Sequence, residues 1–270
     1  MIELIHYLWR KIMNTHKKVL ETALLAGQIM TESNAESYRV EDTMNRILST
    51  SKAAYAVAVS FSTSLYAVLD DPSFEQGGFT GIKRISVRSN NMNKIAAVNS
   101  VSRRFTNNQI SLSQAYEELL VIQQTKSPYS ERLQDLAIIG LAMSFSILFG
   151  GGWWDLVAST INGIVLMFMY KAVSKFYINS GLSNVIQSLV VTIAAYLMQA
   201  YLLPSINTNI VIVSTLMPMV PGTAITNSLR DIFRQDYIAG GARAMEAFLD
   251  ALMIALGAAV GLIILRGVLF

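Results

Sequence analysis

Cysteine is absent from this 270-residue chain, so it can form no disulfide, offer no thiolate nucleophile and build no Cys-based metal site. Histidine is scarce: the two present, His6 and His16, both fall in the N-terminal segment, which leaves imidazole metal and triad chemistry poorly supplied. No G-x-S-x-G, H-E-x-x-H or G-x-x-x-x-G-K-[ST] occurs, and the S-x-x-K at Ser49–Lys52 lacks its companion motifs. Neither a metal nor a cofactor is therefore expected. Charge is also thin, with 14% charged residues against 53% hydrophobic, a balance unusual for a soluble protein. The net charge is only +3, and no Lys/Arg run interleaves with aromatics, which argues against a nucleic-acid partner. The N-terminus lacks the uninterrupted apolar stretch and small-residue cleavage site of a signal peptide, so the first half is expected to stay in the cytosol.

What charge there is lies unevenly. Up to Arg132 the chain carries 15 Lys/Arg and 12 Asp/Glu, and the remaining 138 residues carry 6 of each. Two solvents are implied: a cytosolic α+β domain over 1–132 and a transmembrane domain over 133–270. In the first, helices are expected over Val19–Met30, Glu36–Lys52, Met92–Phe105 and Leu112–Gln124, the last opening on Ser111 as N-cap. AYAVAVSFS (Ala54–Ser62), SLYAVLD (Ser64–Asp70) and TGIKRISV (Thr80–Val87) read as a small antiparallel sheet.

The second half predicts about five transmembrane helices, at 133–150, 155–171, 182–203, 207–227 and 244–266, because a helix needs roughly 20 residues to cross hydrocarbon. The fourth reads as broken. Its apolar run before Pro218 is short, Pro218 and Pro221 remove backbone donors, and Gly222 loosens the chain. Lys171 and Lys175 fall between spans two and three, and Arg230, Arg234 and Arg243 between four and five, on the same side as the basic first half, while the loops near GGGWWD and PSINTN carry none. This places the N-terminal domain in the cytosol and, after five spans, the C-terminus outside, with Arg266 the one exception to the bias.

Ionisable and polar groups within such spans are costly and are the first functional candidates. Arg243, Glu246, Asp250 and Gly257 share one helix face, so Asp250 or Glu246 could carry a proton; alternatively Arg243 and Glu246 sit among headgroups and only Asp250 lies deep. After the Pro221–Gly222 break a half-helix starting near Thr223 would aim its amides at an anion, with Thr226, Asn227 and Arg243 as further contacts and Asp231 as a further proton carrier. A plain proline kink is the competing account. Asp155, Asn162 and Gln199 either line a path or serve as helix-to-helix hydrogen bonds. Gly257–Gly261 is a G-x-x-x-G, read as close helix packing.

Several segments together resemble the threonine/serine exporter (ThrE) family, and in length its shorter, YjjP-like members. They are YRVEDTMNRI with Tyr38, Arg39, Glu41, Asp42 and Arg46; Arg88, Asn91, Lys94 and Asn99; FGGGWWD; and MVPG followed by Asp231 and GGAR. The resemblance implies a subunit of a secondary transporter in the cytoplasmic (inner) membrane of a bacterium. It would export small carboxylates, threonine and serine or a dicarboxylate such as succinate, on the proton gradient. It further implies a small membrane partner of YjjB type; self-association is left open. Two other readings stand beside it: a membrane-anchored hydrolase, and an accessory or sensing subunit that gates a partner transporter.

Overall fold

The computed structural model describes the chain except residues 1, 75–76, 127–128, 177 and 270, and the side chains except those of 2–14 and 266–269. Arg266 and His6 thus lie outside the described side chains. Backbone contacts divide the chain into two compact units, Met1–Ser127 with Thr223–Ala244, and Pro128–Gly222 with Met245–Phe270.

In the first unit, helix α1 (Ile2–Glu32) and helix α2 (Ser37–Ser49) precede strands β1 (Tyr55–Phe61), β2 (Ser64–Asp70) and β3 (Phe79–Arg84), followed by α3 (Met92–Thr106) and α4 (Leu112–Gln124). The strands pair antiparallel in the order β1-β2-β3, with Val59 opposite Tyr66 and Tyr66 opposite Ile82. Alternation decides the faces: Ala58, Leu65, Ala67 and Leu69 are buried, while Tyr55, Val59, Tyr66 and Ile82 point outward. The buried face joins Leu24, Ile29, Met30, Met44, Ile47, Val98 and Leu119 in one apolar core. Gly81 lets β3 approach α1, since a Cβ there would overlap the Leu24 side chain. Ser111 caps α4 as expected, accepting from the Gln114 amide while the Gln114 side chain returns the bond. The outer edge of β1 is closed by α2, where Asn45 and the Glu41 carboxylate accept from the Ala58 and Ser60 amides, both at 2.8 Å.

The second unit holds α5 (Glu131–Leu148), α6 (Trp153–Ser174), α7 (Ser180–Tyr201), α8 (Thr208–Leu216) and most of α10 (Tyr237–Leu269). Between α8 and α9 (Gly222–Phe233) the helix tightens into a 3-10 turn at Met217–Met219 and then breaks at Val220 and Pro221, so Pro218 and Pro221 do interrupt the fourth apolar segment. Three helices are long and apolar enough to cross a membrane, α6, α7 and α10, or up to four if α8 and α9 are counted as one broken span.

By length and composition alone, three to four of the five expected spans qualify among the described residues. The 133–150 segment does form helix α5, but Glu131, Arg132 and Asp135 fall in its opening turns. The apolar remainder, Leu136–Leu148, rises only about 20 Å of the roughly 30 Å of hydrocarbon. The last helix is longer than the span expected at 244–266: it starts at Tyr237, where the Asp236 carboxylate caps it by accepting from the Ala239 amide at 3.1 Å.

Candidate functional site

The first unit is closed by a chain segment that follows it by about a hundred residues. Helix α1 ends in a tight turn in which Asn34 takes a left-handed backbone (φ 63°), a conformation asparagine tolerates better than most residues. The Ala35 amide returns to Met30 O at 2.9 Å, and α2 then begins behind Glu36, whose side chain makes no capping bond. The missing cap comes from α9. Ser37 Oγ donates to Asp231 Oδ2 at 3.2 Å, so a carboxylate stands at the positive end of α2.

Arg243 completes the arrangement from the start of α10. Its Nη2 donates to Ala35 O at 2.9 Å and to Ser37 Oγ at 3.2 Å, and its Nε lies 3.5 Å from Asp231 Oδ2. The two side chains of this ion pair are 3% and 0% exposed, so its members depend on one another. Further bonds surround it. Asn227 Nδ2 donates to Asn34 O at 2.9 Å, Arg230 pairs with Glu36, and the Arg234 guanidinium lies 3.4 Å from the Tyr38 ring centroid. Thr223 Oγ1 donates to Asn90 Oδ1 at 3.0 Å, and Asn34 Nδ2 donates to the same oxygen at 2.7 Å. Ser62, in the β1–β2 turn, donates to Ala239 O at 3.3 Å. The α9–α10 corner is itself tight, since a Cβ on Gly240 would sit 2.9 Å from Ser228 O. Beside this cluster, burial raises the Glu41 carboxyl above its ordinary value and the nearby Asp236 and Asp231 carboxylates add to the rise, opposed by the bond from the Ser60 amide.

The sequence-derived candidates are thus distributed rather than gathered. Thr223, Asn227, Asp231 and Arg243 meet on the α1–α2 turn, and Thr226 lies on the exposed side of α9. Gly222 stands at the helix break with open space around its Cβ direction. In the second unit Asp250 accepts from Asn184 Nδ2 at 3.2 Å, one turn along α10 from the exposed Glu246. Asp155 ties two helix starts together, accepting from the Gly152 amide at 2.9 Å and the Asn207 amide at 2.6 Å. Asn162 donates to Val191 O at 3.1 Å, and Gln199 donates to Ile206 O at 3.1 Å. The G-x-x-x-G is a packing device: a Cβ on Gly257 would overlap Val185 O and Ser188 Oγ of α7. Among the described residues no group of three or more His, Asp or Glu could hold a metal ion.

Sequence reasoning missed Asn34, Glu36, Ser37 and Asn90. Their one visible signal is the density of charged residues facing them from the segment containing Arg230, Asp231, Arg234, Asp236 and Arg243, more than a span end needs.

The model of a family described as a threonine/serine exporter, ThrE, matches residues 21–265. A Mycobacterium tuberculosis protein described as a probable threonine/serine exporter is 21% identical over 257 residues, covering 93% of this chain and 46% of that protein. The chain therefore spans about half the length of the curated relative it matches. No solved structure matches.

Proposed function

Because the chain belongs to the ThrE threonine/serine exporter family, we propose that it is a subunit of a secondary transporter that exports small carboxylates across the bacterial cytoplasmic membrane. Threonine, serine and a dicarboxylate such as succinate are the substrate candidates, with the proton gradient as the driving force. The observation that carries this reading is the extent of the family match, which takes in the cytosolic-type domain, the helix break and α10 together. The resemblance to YjjP-like members adds a small membrane subunit of YjjB type as the partner in this proposal.

In this reading the start of α9 receives the substrate carboxylate at Gly222, Thr223 and Thr226, where a broken helix turns backbone amides toward an anion. Asn227 and Arg243 are here engaged with the α1–α2 turn. For them to touch substrate they must release that turn, so holding the cytosolic domain and holding substrate become alternative uses of the same groups. Asp250, with Glu246 beside it, takes the proton, and Asp231 follows the state of the turn through Arg243.

Charge placement supports five crossings. If the basic first unit and the Lys171–Lys175 loop are both cytosolic, the chain crosses the membrane twice between them, so α5 must span alongside α6, with its charged first turns in the headgroups and the C-terminus outside.

The test is export of threonine, serine and succinate from cells carrying Asp250→Asn or Gly222→Leu at matched expression. Loss of export in either variant supports the assignment, and unchanged export in both sinks it.

A further inference from the structure

We propose that the pocket at the tip of the β1–β2 turn is a binding site for a small carboxylate, separate from the residues assigned above to transport. The cavity measures about 540 Å³, within the range of small-molecule sites. Thr63 and Ser64 line it from the turn, Tyr66 from β2, Ile82 and Arg84 from β3, and Ser86 from the segment that follows. The Ile85 amide donates to Thr63 O at 2.9 Å, which ties that segment back to the turn and holds the two sides of the pocket together.

Chemistry selects the ligand. Ser64 is the register partner of Arg84, and Tyr66 that of Ile82, so all four side chains stand on the outward face of the sheet. Arg84 makes no hydrogen bond or ion pair with any described residue, whereas the Arg104 and Arg46 guanidiniums of the same unit pair with Glu118 and Asp42. A planar guanidinium in a pocket is suited to grip a carboxylate through two parallel bonds. The other polar lining groups are neutral hydroxyls, able to bond a ligand's hydroxyl or ammonium end, and Ile82 with the Tyr66 ring offers a short apolar wall. Arg84 is the one charged residue lining the pocket and no acidic residue lines it, which favours an anion. A single guanidinium lining the pocket fits a carboxylate better than a phosphate dianion; Lys83 alternates to the opposite face, opposite the buried Leu65.

The position gives the site an output. Thr63 follows Ser62, whose hydroxyl donates to Ala239 O near the start of α10, so a ligand that stiffens the turn bears on the residue that holds α10. The site is thus placed to report a cytosolic carboxylate to the membrane chain.

The experiment is calorimetric titration of the purified full-length chain with acetate, L-serine and succinate. It is done on the wild type, on Arg84→Gln, and on Lys83→Gln, which removes the same charge from the other face. Saturable binding of at least one carboxylate is expected, weakened about tenfold or more by Arg84→Gln and changed less than about twofold by Lys83→Gln. The Arg84-dependent component should persist in Gly222→Leu, which bears only on the transport site, so this proposal and the transport assignment fail separately. No saturable binding, equal weakening in both charge variants, or tighter binding of inorganic phosphate than of any carboxylate overturns it. So does an Arg84→Gln effect seen only as reduced adhesion to anionic lipid vesicles.

Discussion

At the scale of single residues, the pair Asp231–Arg243 is the most exacting feature, because two opposite charges are buried together beside the start of α2. Removing one member of such a pair costs more than the pair itself contributes, since the other charge stays out of water. Asp231→Ala should lower stability by about 3 kcal/mol, read from thermal or denaturant unfolding of the purified chain, and Asp231→Leu with Arg243→Met should recover most of it. Wild-type stability in Asp231→Ala would contradict the packing described. Glu41 gives a pH-dependent counterpart. Its carboxyl is raised above the ordinary 4.5, chiefly by burial, so the protonated form favours the fold. That contribution is complete below the ordinary value and is lost as pH rises through the raised one. Glu41→Gln can still accept from the Ser60 amide without a charge. The wild type should therefore lose melting temperature relative to Glu41→Gln as pH is taken upward from 4.5, and parallel curves would exclude the effect.

At the scale of elements, the packing of α10 on α7 depends on having no side chain at Gly257, where the obstacle is backbone. Gly257→Ala should destabilise by about 1–3 kcal/mol in a melting assay, as overpacked cores do, whereas Gly241→Ala, in the same helix with nothing within 4 Å of its Cβ, should not lower the melt. Elements of this kind were largely legible in the sequence. Ser64–Asp70 and Leu112–Gln124 coincide with β2 and α4, because strict alternation and a Ser111 capping box are local signals. Helix α5 was legible as a helix, while its charged first turns, Glu131, Arg132 and Asp135, shorten its apolar part, so length and composition alone do not mark it as a span. The start of α10 at Tyr237 was missed because its first residues include Gly240 and Gly241 and show no apolar period, while the cap that sets it is a single aspartate. The joining of α9 to the α1–α2 turn could not be read at all. Asn227 and Asn34 are 193 residues apart, Arg243 and Ala35 208, and neither member of either pair carries a local pattern naming the other.

At the scale of the whole molecule, the residues that carry the family resemblance acquire physical work in the fold. Tyr38 lies under Arg234, Glu41 closes the edge of β1, Asn91 caps α3 and Asn99 accepts from Thr43, while Gly150 takes the positive φ that the FGGGWWD loop requires. Because the chain contains no cysteine, its topology can be mapped with single introduced thiols. Gly152→Cys should react with an impermeant reagent in intact cells and Ser180→Cys only after permeabilisation. The reverse pattern would mean that α5 does not cross. The most direct test of the account is efflux of labelled threonine, serine or succinate from preloaded cells expressing this chain together with the proposed YjjB-type membrane subunit. The account predicts faster efflux of at least one of them than from cells lacking the chain, abolished when the proton gradient is collapsed. Efflux equal to that of cells without the chain for all three would contradict it.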